Sequence, residues 1–144
     1  MIAFVLDASV TMSWLLSDGK PADRAYAQAV LEALKAPATR ADVPVTWALE
    51  VSNVIARAES RGLLSDAQSE AFLAMLGNVP IGSDDSTFPK ALTDTLHLAR
   101  RYGLSSYDAS YLELALRTGS PLATLDADLT KAARRAGVRR FIAP

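Results

Sequence analysis

With 144 residues and a formal net charge of −1, the chain has the size of one ordinary domain, and its near-neutral balance argues against a protein that coats nucleic acid through charge alone. It contains no cysteine, which excludes a disulfide framework and a thiolate metal site and leaves oxygen atoms or the single His97 as ligands for any ion. Half of the residues are hydrophobic but only 7% are aromatic, and the alanine-rich apolar content predicts a helix-rich α/β domain covering residues 1–144.

The apolar run from Ile2 to Leu6 predicts a strand buried on both faces of a parallel sheet, with Asp7 at its carboxyl end. A helix is expected from about Ser9, and another from Pro21, a favoured first helical position, to about Lys35. Val43 to Val45 allows a short strand. Thr46 can cap the next helix, in which Trp47, Val51, Val54, Ile55 and Ala58 form an apolar stripe before Gly62 stops it. Ser65 with Gln68 spells a capping box that opens a helix to about Leu76. Val79 to Ile81 is a weak strand signal, and residues 83–88 read as a solvated loop containing Asp84 and Asp85. Pro89 to Tyr102 reads as a helix with Arg100 and Arg101 in its last turn and Gly103 as its stop, and Ser105 to Thr118 as the next. Leu122 to Leu125 predicts a second buried strand, ending at Asp126; Asp128 can cap a short helix that stops at Gly137, and Val138 to Ile142 can add a last strand.

Strands alternating with helices predict a central, mostly parallel sheet flanked by helices, with ligands outside the carboxyl ends of the strands. No stretch approaches the roughly 20 apolar residues that span a bilayer. Met1 to Leu16 lacks the basic leader of a signal peptide and is interrupted by Asp7. A cytoplasmic protein is the expectation.

Asp7 and Asp126 end apolar runs, where a carboxylate is desolvated unless a cation compensates it. Glu50 lies on the margin of its helix's apolar stripe, and Asp108 shares a row with Leu112 and Ala115. Singly, each acid has a plainer explanation as a helix cap, a capping-box partner or a dipole partner. Together, four carboxylates at one end of a sheet would repel by roughly 3 kcal/mol per pair at about 5 Å and an effective dielectric of 20. A divalent cation is the simplest compensation, and oxygen-only ligation selects Mg²⁺, with Mn²⁺ as the variant, held jointly by carboxylates and a substrate phosphate. Phosphodiester hydrolysis is the chemistry that follows. Ser9 and Thr124 stand two residues from Asp7 and Asp126, where their hydroxyls can orient a carboxylate or serve only capping and packing.

Four segments resemble the successive motifs of PIN-domain nucleases: Val5-Leu6-Asp7-Ala8-Ser9, Pro44 with Trp47 to Asn53 around Glu50, Leu104 to Ala109 around Asp108, and Leu122 to Asp126. The chain is most similar to the VapC-type toxins of toxin–antitoxin pairs, over nearly its whole length. That resemblance implies an Mg²⁺-dependent endoribonuclease, a homodimer held inactive by a small antitoxin, with Asp7 and Asp108 as principal metal ligands and Glu50 and Asp126 completing the acidic pocket. Apolar Trp14-Leu15-Leu16 and the helix from Pro21 to Lys35 are candidate partner surfaces.

Residues 97–144 carry eight Lys or Arg against four Asp or Glu, so RNA backbone contact is assigned to this third, with Arg134 and Arg135 as its candidates and a merely solvated face as the alternative. Trp14, Trp47, Tyr107 and Tyr111 can stack bases or fill the core. Asp128 is a candidate outer neighbour of the pocket, and His97 reads as structural. Two rival functions compete with this reading. A catalytically silent PIN-like binding module is disfavoured by the complete set of four acids, and a receiver-like phosphoacceptor domain by the lack of an acidic pair after the first strand and of a late strand-end lysine.

Overall fold

A computed structural model describes residues 1–144. Four parallel strands form one sheet: β1 (Ile2–Leu6), β2 (Thr39–Val43), β3 (Ile81–Ser83) and β4 (Leu122–Ala123), in the order β3-β2-β1-β4. The helices that connect them are α1 (Ala8–Ser13) and α2 (Pro21–Leu34) between β1 and β2, then α3 (Thr46–Ser60) and α4 (Asp66–Leu76) between β2 and β3. Between β3 and β4 come α5 (Thr87–Lys90), a π-helical turn (Ala91–Thr95), α6 (Leu96–Tyr102) and α7 (Ser106–Thr118); α8 (Ala127–Ala136) follows β4.

The alternation of side chains along β1 decides which helices cover which face. Phe4 and Leu6 point to one side, where they pack with Ala27, Val30 and Leu34 of α2 and with Ala41 and Val43 of β2. Val5 points to the other, against Tyr111, Leu112, Leu114 and Ala115 of α7 and Leu129 of α8. All three β1 side chains are fully buried, the expected condition of a strand covered on both faces. A third cluster joins Ala8 and Met12 of α1 to Val51 and Ile55 of α3 and Phe72 of α4. No helix is long and apolar enough to cross a membrane.

The strand order positions the site. The chain builds β1, β2 and β3 outward in one direction, then returns to lay β4 on the opposite side of β1. The reversal puts the topological switch at the carboxyl ends of β1 and β4, the place where ligands bind in open parallel sheets. Asp7 follows the last residue of β1, and Asp126 follows β4 by three residues.

Several expected boundaries shift. The second strand is Thr39–Val43 instead of Val43–Val45: Thr39, Ala41 and Val43 are buried, whereas Arg40 is exposed and pairs with Asp42 at 3.4 Å. Thr46 begins α3 without capping it and shares a hydrogen bond with Ser110 at 3.0 Å. The third strand moves two residues on, to Ile81–Ser83. Helix starts at Thr87, two residues before Pro89, and the π-helical turn breaks its path. The cap of α8 is Asp126, whose Oδ2 accepts from Leu129 N at 2.8 Å; Asp128 lies inside the helix. Val138 to Ile142 forms no strand but a single parallel bridge from Arg140 to Leu122. The Ser65–Gln68 capping box and the left-handed stops at Gly103 and Gly137 are as expected, with φ near +64° and +82° in positions that disfavour any Cβ.

Asp84 is not solvated. Its carboxylate accepts from both terminal nitrogens of Arg117 at 2.8 and 3.1 Å and from the Thr87 hydroxyl at 2.9 Å, while Arg117 Nε donates to the buried Glu113 at 2.9 Å. This cluster ties the end of β3 to α7. Nor is Trp14 an open apolar surface: it is half-buried, and its indole N–H donates to Ala27 O at 2.8 Å, joining α1 to α2.

Candidate active site

Asp7 is 3% exposed because it continues β1, an inner strand of the sheet whose last residues are covered on both faces. Its Oδ2 accepts from the Ser9 hydroxyl at 2.5 Å and from the Thr124 hydroxyl at 2.8 Å, so both hydroxyls converge on one oxygen. Ser9 Oγ also receives Leu125 N, and Thr124 Oγ1 receives Asp126 N, each at 3.0 Å. These two hydroxyls stitch the β1–α1 turn to the β4–α8 turn and fix Asp7 relative to Asp126. Burial nevertheless raises the Asp7 carboxyl above its ordinary range, opposed by the two hydroxyls and reinforced by the charge of Asp126.

Glu50 enters from the first turns of α3. Its Oε1 accepts from the Tyr111 hydroxyl at 2.6 Å, a bond from α3 across to α7. Burial raises the Glu50 carboxyl, Tyr111 opposes the rise, and the charge of Asp7 adds to it. Tyr111 is held protonated far above its usual range, first by burial and then by the facing charges of Asp7 and Glu50. It is therefore a permanent donor to Glu50. Sequence reasoning offered Tyr111 only as core or base-stacker; an aromatic hydroxyl buried on an apolar row needs a partner, and that requirement was the signal available.

Asp108 lies in the first turn of α7, whose N-cap Ser105 accepts from the Asp108 backbone N–H at 3.1 Å. Its carboxylate has no hydrogen bond to the protein, and its pKa is pushed up to about 6, first by burial and then by the charges of Asp126, Asp7, Glu50 and Asp128. Asp108 thus feels the charge of each of the other three predicted acids and of Asp128. None forms an ion pair: the five ion pairs of the structure use Glu32, Asp42, Asp84, Asp94 and Glu113.

The residues fit a hard divalent cation by their donor chemistry. Glu50 Oε2, Asp126 Oδ1 and both oxygens of Asp108 receive no protein donor, and both hydroxyls on Asp7 go to Oδ2. The side chains do not close into a three-residue ligand set as they stand. Mg²⁺ needs only one or two of them, since it retains several waters.

Residues 4–135 match the profile of the PIN domain. The chain belongs to the PIN-domain family. Over 84 residues, 58% of its length, this PIN domain is 32% identical to Ribonuclease VapC3 of Pyrobaculum aerophilum, and the aligned region covers 64% of that relative, less than two thirds of it. The crystal structure of PAE2754 from Pyrobaculum aerophilum superimposes with a TM-score of 0.63 at 21% identity, covering 91% of this chain and 86% of that one, a likeness of fold.

The remaining predicted residues of the PIN domain divide. Arg134 and Arg135 are both exposed near the end of α8 and have different neighbours: Arg134 lines a cleft of about 1020 Å³ with Arg139 and Arg140, while Arg135 stacks on Tyr102. Trp47 donates to Thr11 at 3.0 Å and is half-buried, so it is a framework residue; Tyr107, beside Asp108, is 62% exposed. His97 is exposed on α6 and borders no part of the acidic pocket's hydrogen-bond network.

Proposed function

We propose that this protein is an endoribonuclease that needs a divalent cation, Mg²⁺ or Mn²⁺, and that it is the toxin of a toxin–antitoxin pair. The observation that carries the reading is the gathering of Asp7, Glu50, Asp108, Asp126 and Asp128 without any ion-paired cation, in a PIN domain and at the topological switch of its sheet. Asp7, Glu50, Asp108 and Asp126 would hold the cation. When bound, it supplies activation of the attacking water and neutralisation of charge on the leaving oxygen.

The chain's own residues set the rest. Ser9 and Thr124 fix one oxygen of Asp7, leaving the other without a hydroxyl. Tyr111 fixes Glu50 in the same way. Asp108 is the acid whose carboxylate receives no hydrogen bond from the protein, its cap bond being made by the backbone N–H, so both of its oxygens remain open to the cation. Single-stranded or looped RNA, whose backbone is not held in a stacked duplex, reaches acids set at strand ends best.

A small antitoxin and a homodimeric state belong to the same reading. Support for a partner surface comes from large apolar side chains left in solvent, Phe88 at 88% and Leu92 at 85% exposed, with Leu49 at 72% beside Glu50. These replace Trp14 to Leu16 as the candidate surface.

The test is cleavage of defined RNAs with Mg²⁺, with Mn²⁺ and with EDTA. Cleavage should require the ion and vanish in Asp7→Asn and Asp108→Asn. Absence of cleavage under every condition, or cleavage that persists in EDTA, would refute the assignment.

A further inference from the structure

The acidic pocket faces the question of what holds a polyanion against it. Residues 97–144 carry eight Lys or Arg, and of these only Arg117 takes part in an ion pair. The other seven are all exposed. Two of them are ordered by one ring: the guanidinium carbon of Arg101, in the last turn of α6, lies 5.6 Å from the centroid of half-buried Tyr102, and that of Arg135, in the last turn of α8, lies 5.5 Å from it.

Each cation–π contact presets a guanidinium whose fork of N–H donors matches phosphate oxygens bidentately. Two like charges are thereby brought to one ring from two helices, and neither is in an ion pair: Asp94 and Glu113, which line a pocket with Arg101, are paired with Lys90 and Arg117. Both guanidinium groups are left to take an anion from solution. The chain leads from this ring to the acidic pocket by two short routes. Tyr102 precedes Asp108 by the Gly103 turn and the Ser105 cap. Asp128, Lys131 and Arg135 follow i, i+3, i+7 spacing on the solvent side of α8, so Arg135 stands about 10 Å along the helix from Asp128, whose charge reaches Asp108.

We infer that Arg101 and Arg135, stacked on Tyr102, clamp the phosphate backbone of single-stranded RNA several nucleotides away from the bond held at the acidic pocket. The inference rests on the ribonuclease reading and adds the substrate's path: along α8, from its acidic N-terminus to its cationic C-terminus. Arg134, one residue away, faces the separate cleft and is not part of the clamp.

The test uses the full chain and a fluorescent ten-nucleotide oligouridylate in EDTA, where no cleavage interferes. The double variant Arg101→Gln/Arg135→Gln should bind about tenfold more weakly at low salt. The slope of log affinity against log salt should fall in magnitude by about 1.4, the loss of two single-strand phosphate contacts. Arg57→Gln, at the end of α3, is the control and should leave both unchanged. The double variant should melt only a few degrees below wild type, since the two cation–π contacts it loses are individually weak, so folded protein is compared in both arms. With Mn²⁺, the double variant should raise KM for the decamer about tenfold at constant kcat and leave hydrolysis of a diuridylate unaffected.

Unchanged affinity and slope in the double variant overturn the clamp, whatever the nuclease assay gives. A wild-type protein that cleaves no RNA but loses salt-dependent binding in the variant refutes the nuclease and upholds the clamp as an RNA contact. Loss of polyglutamate binding with RNA binding intact would assign the two arginines to an acidic polypeptide and overturn the proposal.

Discussion

Replacing Asp108 with Asn should stabilise the metal-free protein at neutral pH. The Asp108 carboxyl is raised from 3.8 to about 6 by burial and four neighbouring acids, so folding favours its neutral form. A group raised in this way contributes stability that is complete below its unfolded pKa and is lost as pH climbs through the folded value. For Asp108 the loss runs between about pH 4 and pH 6. A rise of about two units corresponds to about 3 kcal/mol. Asp108 is only half-buried, and solvent screening reduces the contribution to about 1 kcal/mol. In EDTA at pH 7.5, Asp108→Asn should therefore melt about 3–4 °C above wild type for a domain of this size, and the gap should close as the pH falls to 4. With Mn²⁺ at about one hundred times its dissociation constant, wild type should gain about 2.7 kcal/mol and the variant far less, reversing the order. Thermal melts followed by circular dichroism from pH 4 to 8, with EDTA or Mn²⁺, provide the assay. A variant that melts at or below wild type in EDTA at pH 7.5, or a gap independent of pH, would refute the reasoning that repulsion among these acids is uncompensated.

Tyr111→Phe removes the donor 2.6 Å from Glu50 and leaves a half-buried carboxylate without its one protein donor; the expected loss is about 1.5–3 kcal/mol in urea unfolding, with reduced RNA cleavage. Arg117→Ala leaves the buried Glu113 and the shielded Asp84 facing each other without their shared cation, and should cost about 3 kcal/mol at pH 7. Arg117 holds the Asp84 carboxyl below its ordinary value, so that share of stability is present above the unfolded pKa and is lost as pH falls below about 4. The wild-type advantage over Arg117→Ala should accordingly shrink in acid, and a pH-independent difference would count against the ion cluster.

What could be read from the sequence followed from how strongly each residue was constrained locally. Strand β1 is covered on both faces, so Ile2 to Leu6 is uniformly apolar and Asp7 stood out at its end. Strand β2 alternates, with Arg40 in solvent, and its charges concealed it. The Ser65–Gln68 cap is a contact between residues three apart and was readable for that reason. The Asp84–Arg117 contact spans 33 positions, and Tyr111–Glu50 spans 61. No local pattern announces either. The four acids were legible individually as misplaced charges. Their mutual effect on Asp108 depends on the β4 return across β1, which only the assembled sheet supplies. The π-helical turn at Ala91–Thr95 carries no sequence mark that explains it.

The latch on Asp7 also has a meaning in time. Thr124 donates to Asp7 across 117 positions, and Ser9 receives the amide of Leu125 across 116. On a ribosome adding about 5–20 residues per second, the two ends of that latch emerge roughly 6–23 s apart. During that interval the nascent chain displays the first carboxylate without the hydroxyl, the β4 turn or the α8 acids that complete its surroundings. A chain stalled or cleaved before Thr124 remains in that condition, so the pocket forms only as synthesis of the domain nears its end.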